Sequence, residues 1–302
     1  MYRILFANVK CFLAWGQLIP MEESRPLCRA LPLVASVNNR NNLTMLRFTR
    51  LLSAVLNLLS LPAVLCVPVL AVACSAQTKE YNILVDGRTI GREILTANQD
   101  GTRLDTKMEV TDSAGNTLKS DLEEQFSPGG SNKWLLYSTL IKGKKATVEM
   151  VWIGDKVAKI ELVDVNGQKS SPAGENDSGI TSSTAMGLDL SVSAYRIATQ
   201  RALKSGIPAK IGIMTIPAGG QAGVVPVRVE KMGVIQTFMI SKKPIQTQEY
   251  TFTEIPDPGQ LTDPPVKVWV EVESGEVVAV RMPEKFSIVQ RGLSPSDLLR
   301  LK

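Results

Sequence analysis

The chain has 302 residues, with 34 Lys and Arg against 29 Asp and Glu, and no histidine. Residues 1–76 hold seven of the basic and two of the acidic groups, so the remainder carries 27 of each and no net charge. That balance excludes an extended nucleic-acid footprint. The missing histidine excludes Ser-His-Asp and Cys-His catalysis and His-based zinc sites. All four cysteines (Cys11, Cys28, Cys66, Cys74) precede residue 75, so the main domain has no thiol nucleophile and no disulfide framework.

Residues 1–44 form a mixed segment that a signal peptide does not need, including Asn38-Asn39-Arg40-Asn41-Asn42. They read as a non-native upstream extension with translation starting at Met45, or as a cytoplasmic extension before an anchor. Residues 45–76 read as a secretory signal peptide. Arg47 and Arg50 precede an apolar run from Leu51 to Cys74, which ends in small residues at Ala71-Val72-Ala73. The run is long enough to span a bilayer, but Asn57, Pro62 and Pro68 argue against a membrane helix. Ala71-Val72-Ala73-Cys74 resembles a bacterial lipobox, which implies acylation of Cys74; it departs from the pattern in carrying Ala71 where Leu is usual. Cleavage after Ala73 or Ala76 by the ordinary peptidase is the alternative.

From residue 77 onward the pattern is alternating runs separated by turn residues, the mark of antiparallel β-structure. Strands are expected at 81–85, 89–95, 103–110, 118–126, 134–141, 147–153 and 157–163. Asp86-Gly87, Asp100-Gly101, Ala114-Gly115-Asn116, Gly143-Lys144 and Gly154-Asp155 serve as corners. Residues 166–183 are polar and small and read as a mobile loop. One helix is expected near 188–204, from Val192, Tyr195, Ala198 and Ala202, with Asp189 or Ser191 as its cap and Gly206 as its stop. Further strands are expected at 210–216, 224–231, 234–240, 245–254, 266–273 and 276–290. In the first of the last two, Lys267, Trp269, Glu271 and Glu273 share a face read as solvent-exposed. The expected fold is mainly β: one large curved antiparallel sheet of about thirteen strands, a half-barrel or open meander over residues 77–302, with one covering helix.

The opening Tyr81-x-x-x-Val85-x-Gly87-x-x-x-Gly91, the Tyr195 helix and the closing Val268-Trp269-Val270-Glu271 and Val280-Arg281-Met282-Pro283 resemble a group of exported bacterial proteins, domain of unknown function 3108. The resemblance implies a large curved sheet in the cell envelope and no catalytic residues.

Each candidate for chemistry has a plainer reading. Glu271 and Glu273 beside Trp269 have the composition of a glycosidase pair, yet carboxylates on a strand face are usually just solvated. Glu123-Glu124 and Asp257 are weaker. Gly219-Gly220-Gln221-Ala222-Gly223 lacks the Gly-Lys-Ser/Thr ending of a phosphate loop. Lys142, Lys144 and Lys145 suit anionic headgroups or, more simply, a soluble hairpin tip. Ser182-Ser183-Thr184 has no base in sequence reach, and Asn176-Asp177-Ser178 is an Asn-glycosylation pattern of no weight in a bacterial protein. No catalytic, cofactor-binding or metal-binding residue is expected. The leading expectation is a non-catalytic protein of the periplasm or outer envelope that holds an acyl chain against the apolar concave sheet, with the membrane reached through Cys74 if it is acylated. The alternatives are a structural or interaction module with a filled core, and a hydrolase using Glu271 or Glu273.

Overall fold

The computed structural model describes residues 76–302 apart from 142, 172–178, 189, 217–222, 257–262 and 302. Seven consecutive strands open the sheet: β1 (Gln77–Val85), β2 (Arg88–Ala97), β3 (Arg103–Thr111), β4 (Thr117–Phe126), β5 (Asn132–Ile141), β6 (Lys144–Ile153) and β7 (Lys156–Val163), as the alternation predicts. The first corner shows why. Asp86 and Gly87 have φ of 52° and 79°, the left-handed pair that a two-residue turn matched to the strand twist requires.

The remainder corrects several boundaries. A short strand, β8 (Lys169–Ser170), lies inside the expected loop, and β9 (Ala185–Leu188) follows it. The helix α1 (Val192–Ser205) begins four residues later than expected, because Leu188 belongs to β9 and Ser191 is the cap. After β10 (Ala209–Ile216), the two strands expected on either side of Gly233 are one, β11 (Val224–Ile240). Gly233, at φ 57°, is a bulge and not a corner: Met232 pairs with Glu249 and Gln236 with Thr247, so β11 carries two extra residues there. β12 (Lys243–Glu254) and β13 (Val266–Glu271) follow. The single strand expected at 276–290 is β14 (Val277–Arg281) and β15 (Phe286–Gln290), folded back at Glu284-Lys285 with φ of 59° and 63°. A second short helix, α2 (Pro295–Arg300), was not anticipated.

All fifteen strands form one curved, unclosed sheet in the order β8-β7-β6-β5-β4-β3-β2-β1-β15-β14-β13-β12-β11-β10-β9. It consists of two meanders joined where β1 pairs with β15, Tyr81 opposite Gln290. One pairing departs from the expected antiparallel pattern. β9 runs parallel to β10, which a hairpin cannot achieve; α1 is the crossover between them. The helix therefore lies against the inner face of the sheet.

Bending comes from five register shifts, at Ile83/Leu84, Gln125/Phe126, Val151/Trp152, Met232/Gln236 and Trp269/Val270. Close approach is allowed at Gly187, where an added Cβ would stand 2.5 Å from the Ala194 nitrogen, so β9 rides directly on α1. The curl brings the segment before β9 across to the other meander. Lys156 bridges Thr181, the Asn132 N–H donates to the Ser182 carbonyl (2.7 Å), and Asn132 Nδ2 donates to the Thr184 carbonyl (2.8 Å).

The inner core gathers residues of nearly every strand around α1, whose Val192–Thr199 and Ala202 are all buried. Tyr195 meets Phe252 edge to face at 5.6 Å. A smaller outer core of Leu84, Phe238, Ile240, Trp269, Val289 and Leu301 sits on the opposite face beside α2. Trp269 is thus buried and not on a wet face, because β13 is covered on both sides.

Candidate functional site

The inner core holds a layer of charged groups under α1. Glu93 on β2 is fully buried, and its carboxylate accepts from the Ser191 hydroxyl (2.6 Å) and the Val192 N–H (3.0 Å). The first turn of α1 contains no acidic residue of its own, so the sheet supplies the negative charge that a helix N-terminus favours. Burial nevertheless outweighs these bonds and raises Glu93 from 4.5 to about 7.

Further along the helix, Arg196 forms a two-point pair with Glu276, which precedes β14: Nε to Oε2 at 2.7 Å and Nη2 to Oε1 at 2.6 Å. Both side chains are under a tenth exposed. One turn later, Arg201 donates through Nη2 to the Gly130 carbonyl (2.9 Å), Asn132 Oδ1 (2.8 Å) and the Ser182 carbonyl (3.4 Å). It thereby ties the β4–β5 loop to the segment before β9. Its Nη1 is buried and makes no hydrogen bond. Glu124 on β4 is also buried, and neither carboxylate oxygen has a partner. Desolvation raises it from 4.5 to about 8, against the pull of Arg201 and Arg196. Burial likewise lowers Arg201 to about 10. At neutral pH Glu124 therefore holds its proton and Arg201 keeps its charge.

The residues singled out from sequence are dispersed. Glu271 ends β13, accepts from the Ser274 hydroxyl and lies 3.6 Å from Lys79 Nζ. Glu273 falls beyond the strand in an exposed turn, so the expected alternation that aligned the two carboxylates ends before it. Ser182 donates its hydroxyl to Asp155 (2.7 Å) and serves as a clasp. Lys144 and Lys145 are at the exposed β5–β6 tip. Glu123 pairs with Arg103 on the surface (3.1 Å). Cys74, Lys142, Asn176-Asp177-Ser178, Asp189, Asp257 and Gly219–Ala222 lie outside the described residues. Accordingly, Glu273→Gln should shift unfolding free energy by about 0.5 kcal/mol or less, Glu271→Gln should cost about 1 kcal/mol because it loses its half-buried partner Lys79, and neither should alter any other assayable property. A hydrolytic activity that falls a hundredfold in either variant would contradict this.

A groove of about 1130 Å³ opens at the rim beside the β1–β2 and β3–β4 turns, with Val85, Ile90, Leu190 and Phe286 on its walls. Its acids are engaged. Asp86 pairs with Lys285 (3.0 Å), Glu109 with Arg92 (3.0 Å), and Asp112 accepts from the N–H groups of Ala114 and Asn116.

No family model matches the chain, and no curated protein matches it. Among solved structures, it is similar to a β-barrel-like protein of domain of unknown function 1849 from Brucella abortus, at 12% identity and a TM-score of 0.45, over 73% of this chain and 96% of that one. A protein of the domain of unknown function 1089 family from Pseudomonas aeruginosa gives 12% identity and a TM-score of 0.42, over 63% and 89% respectively.

Proposed function

We propose that the chain is an exported, non-catalytic protein of the cell envelope and that its curved sheet is a structural module filled by its own helix. The observation that carries this reading is the burial of Val192–Thr199 and Ala202 against the inner face, where an acyl chain was expected to lie. Fifteen strands in one sheet surround α1, and the inner-face residues packed around it form one buried apolar core. Export, acylation of Cys74 and kinship with domain of unknown function 3108 belong to the same proposal, resting on the leader and the short motifs. Partner proteins would meet the faces and loops and not an edge, since β8 is two residues long and β9 is buried.

A second reading keeps an amphipathic ligand, moved to the rim groove with its Val85, Ile90, Leu190 and Phe286 walls. Mass spectrometry of protein exported from a bacterial host separates the two. Under native conditions the expected mass is that of the polypeptide without a noncovalent lipid. Under denaturing conditions it should correspond to a chain beginning at a diacylated Cys74. Acyl mass that leaves only on denaturation would overturn the filled-module reading in favour of the groove, and an unmodified chain beginning at Cys74, Ser75 or Gln77 would remove the lipoprotein claim while keeping export.

A further inference from the structure

We propose that the end of the sheet at which β1 starts rests on a phospholipid bilayer, with Val234 and Ile235 of the β11 bulge among the headgroups. This deepens the envelope reading above and rests on its acyl anchor at Cys74.

Reach is the first argument. Cys74, Ser75 and Ala76 are all that separates such an anchor from Gln77, the first residue of β1. Three extended residues span at most about 10 Å. An acylated Cys74 therefore holds the start of β1 at the membrane surface, and whatever stands beside that start faces lipid.

Hydrogen bonds identify what stands there. The Arg291 N–H donates to the Glu80 carbonyl (2.8 Å), and the next carbonyl, that of Gly292, accepts from the Ser241 N–H at the β11–β12 tip (2.8 Å). Ile240 bridges Leu293 at the same place. Lys79 reaches the end of β13, with Nζ 3.6 Å from Glu271 Oε2. The following residue, Val272, donates its N–H to the Gln246 carbonyl of β12 (2.9 Å). The outer half of the β11–β12 hairpin is thus fixed beside the first residues of β1. Its corner is the bulge after Met232, where Val234 is 79% exposed and Ile235 50%; Val272 is 48% exposed.

Single exposed apolar side chains are ordinary on a protein surface. Their placement sets these apart. Of the nine large ones among the described residues, only Leu140, near the opposite end of β5, and Leu299 on α2 lie away from this end of the sheet and its hairpin.

The charges nearby suit an anionic surface. Lys242 and Lys243 are exposed at the tip and Lys231 at the corner, and none of them is in an ion pair among the described residues. Most of the acids are held: Glu80 by Arg291 (2.5 Å), Glu249 by Lys267 (3.3 Å) and Glu271 by Lys79. Glu230 and Glu273 are the two here without such a pair. Lysines on long stems beside apolar side chains set their ammonium groups at the headgroup phosphates while the apolar groups go deeper.

The test compares Val234→Cys with Leu140→Cys in protein exported from a bacterial host and reconstituted into vesicles of phosphatidylethanolamine and phosphatidylglycerol. The chain from residue 75 onward has no cysteine of its own and acylation consumes the Cys74 thiol, so an environment-sensitive fluorophore marks one position. Spin-labelled lipid should quench the label at 234 at least about threefold more than the label at 140, the depth of an interfacial contact. The mass of the same sample reads the anchor. Equal quenching at the two positions in acylated, vesicle-bound protein would overturn this inference and leave the envelope reading standing. Protein that lacks acyl mass and stays off the vesicles would overturn both. A label at 234 shielded in the absence of lipid, in protein with the mass of a dimer, would give the patch to a second copy and overturn the bilayer contact.

Discussion

Relative to wild type, Glu124→Gln should gain stability as pH rises from 5 to 8. Between about 4.5 and 8 the native state holds a proton on Glu124 that the unfolded chain has released. Unfolding therefore releases a proton, and stability falls as pH rises through that window. Below 4.5 both states are protonated and the contribution is constant. A carboxyl raised from 4.5 to about 8 represents on the order of 5 kcal/mol at high pH, of which about 3–4 kcal/mol develops between pH 5 and pH 8. Glu93, raised to about 7, adds a slope of the same sign. Denaturant unfolding in both proteins at pH 5, 6.5 and 8 measures the difference. The glutamine leaves a buried amide with the same missing partners, so the offset at pH 5 is of either sign; the pH dependence of the difference is the prediction. A difference that stays flat to within about 1 kcal/mol would show that Glu124 is ionised in the native state.

The second large effect lies at Arg196 and Glu276. Arg196→Met or Glu276→Met alone should cost about 3–5 kcal/mol, because each leaves a buried group without its partner. The double replacement Arg196→Met with Glu276→Met should be less destabilised than Arg196→Met, since it buries two apolar chains and no stranded charge. A double variant that loses the sum of the two single losses would mean that the residues act independently, which the 2.6 Å contact does not permit.

Much of this was legible. The corners of the first meander are written in Asp-Gly and Ala-Gly-Asn, which require or tolerate positive φ. Two of the later corners are not, because Ser241-Lys242 and Glu284-Lys285 take the same left-handed conformation without glycine. That is why β14 and β15 read as one strand. Glu124 was visible too, although not for what it is. On β4 the buried side chains are Leu118, Ser120, Leu122, Glu124 and Phe126, so strict alternation places this carboxylate inside while its neighbour Glu123 points out. Glu93 stands in the same relation to Leu95 and Ala97 on β2. What no period reveals is the other half of the layer. Arg196 and Arg201 are ordinary residues on an amphipathic helix until the sheet closes over them, and Glu276 reaches Arg196 across 80 residues of chain. The parallel pairing of β9 with β10 spans only 28 residues, from Ala185 to Ile213, with α1 between the two strands.

The seam between β1 and β15 also sets an order of events. Tyr81 and Gln290 are neighbours in the finished sheet yet lie 209 residues apart in sequence, so during synthesis β1 gains β2 from its own hairpin long before β15 exists. Each meander can zip up from local hairpins, but joining them closes a loop of about two hundred residues, and loop closure on that scale is slow. Until the last fifteen or so residues arrive, β1 presents a bare edge and α1 has only part of its bed. The sheet is therefore completed only when β15 docks, and the seam is the last place to become rigid.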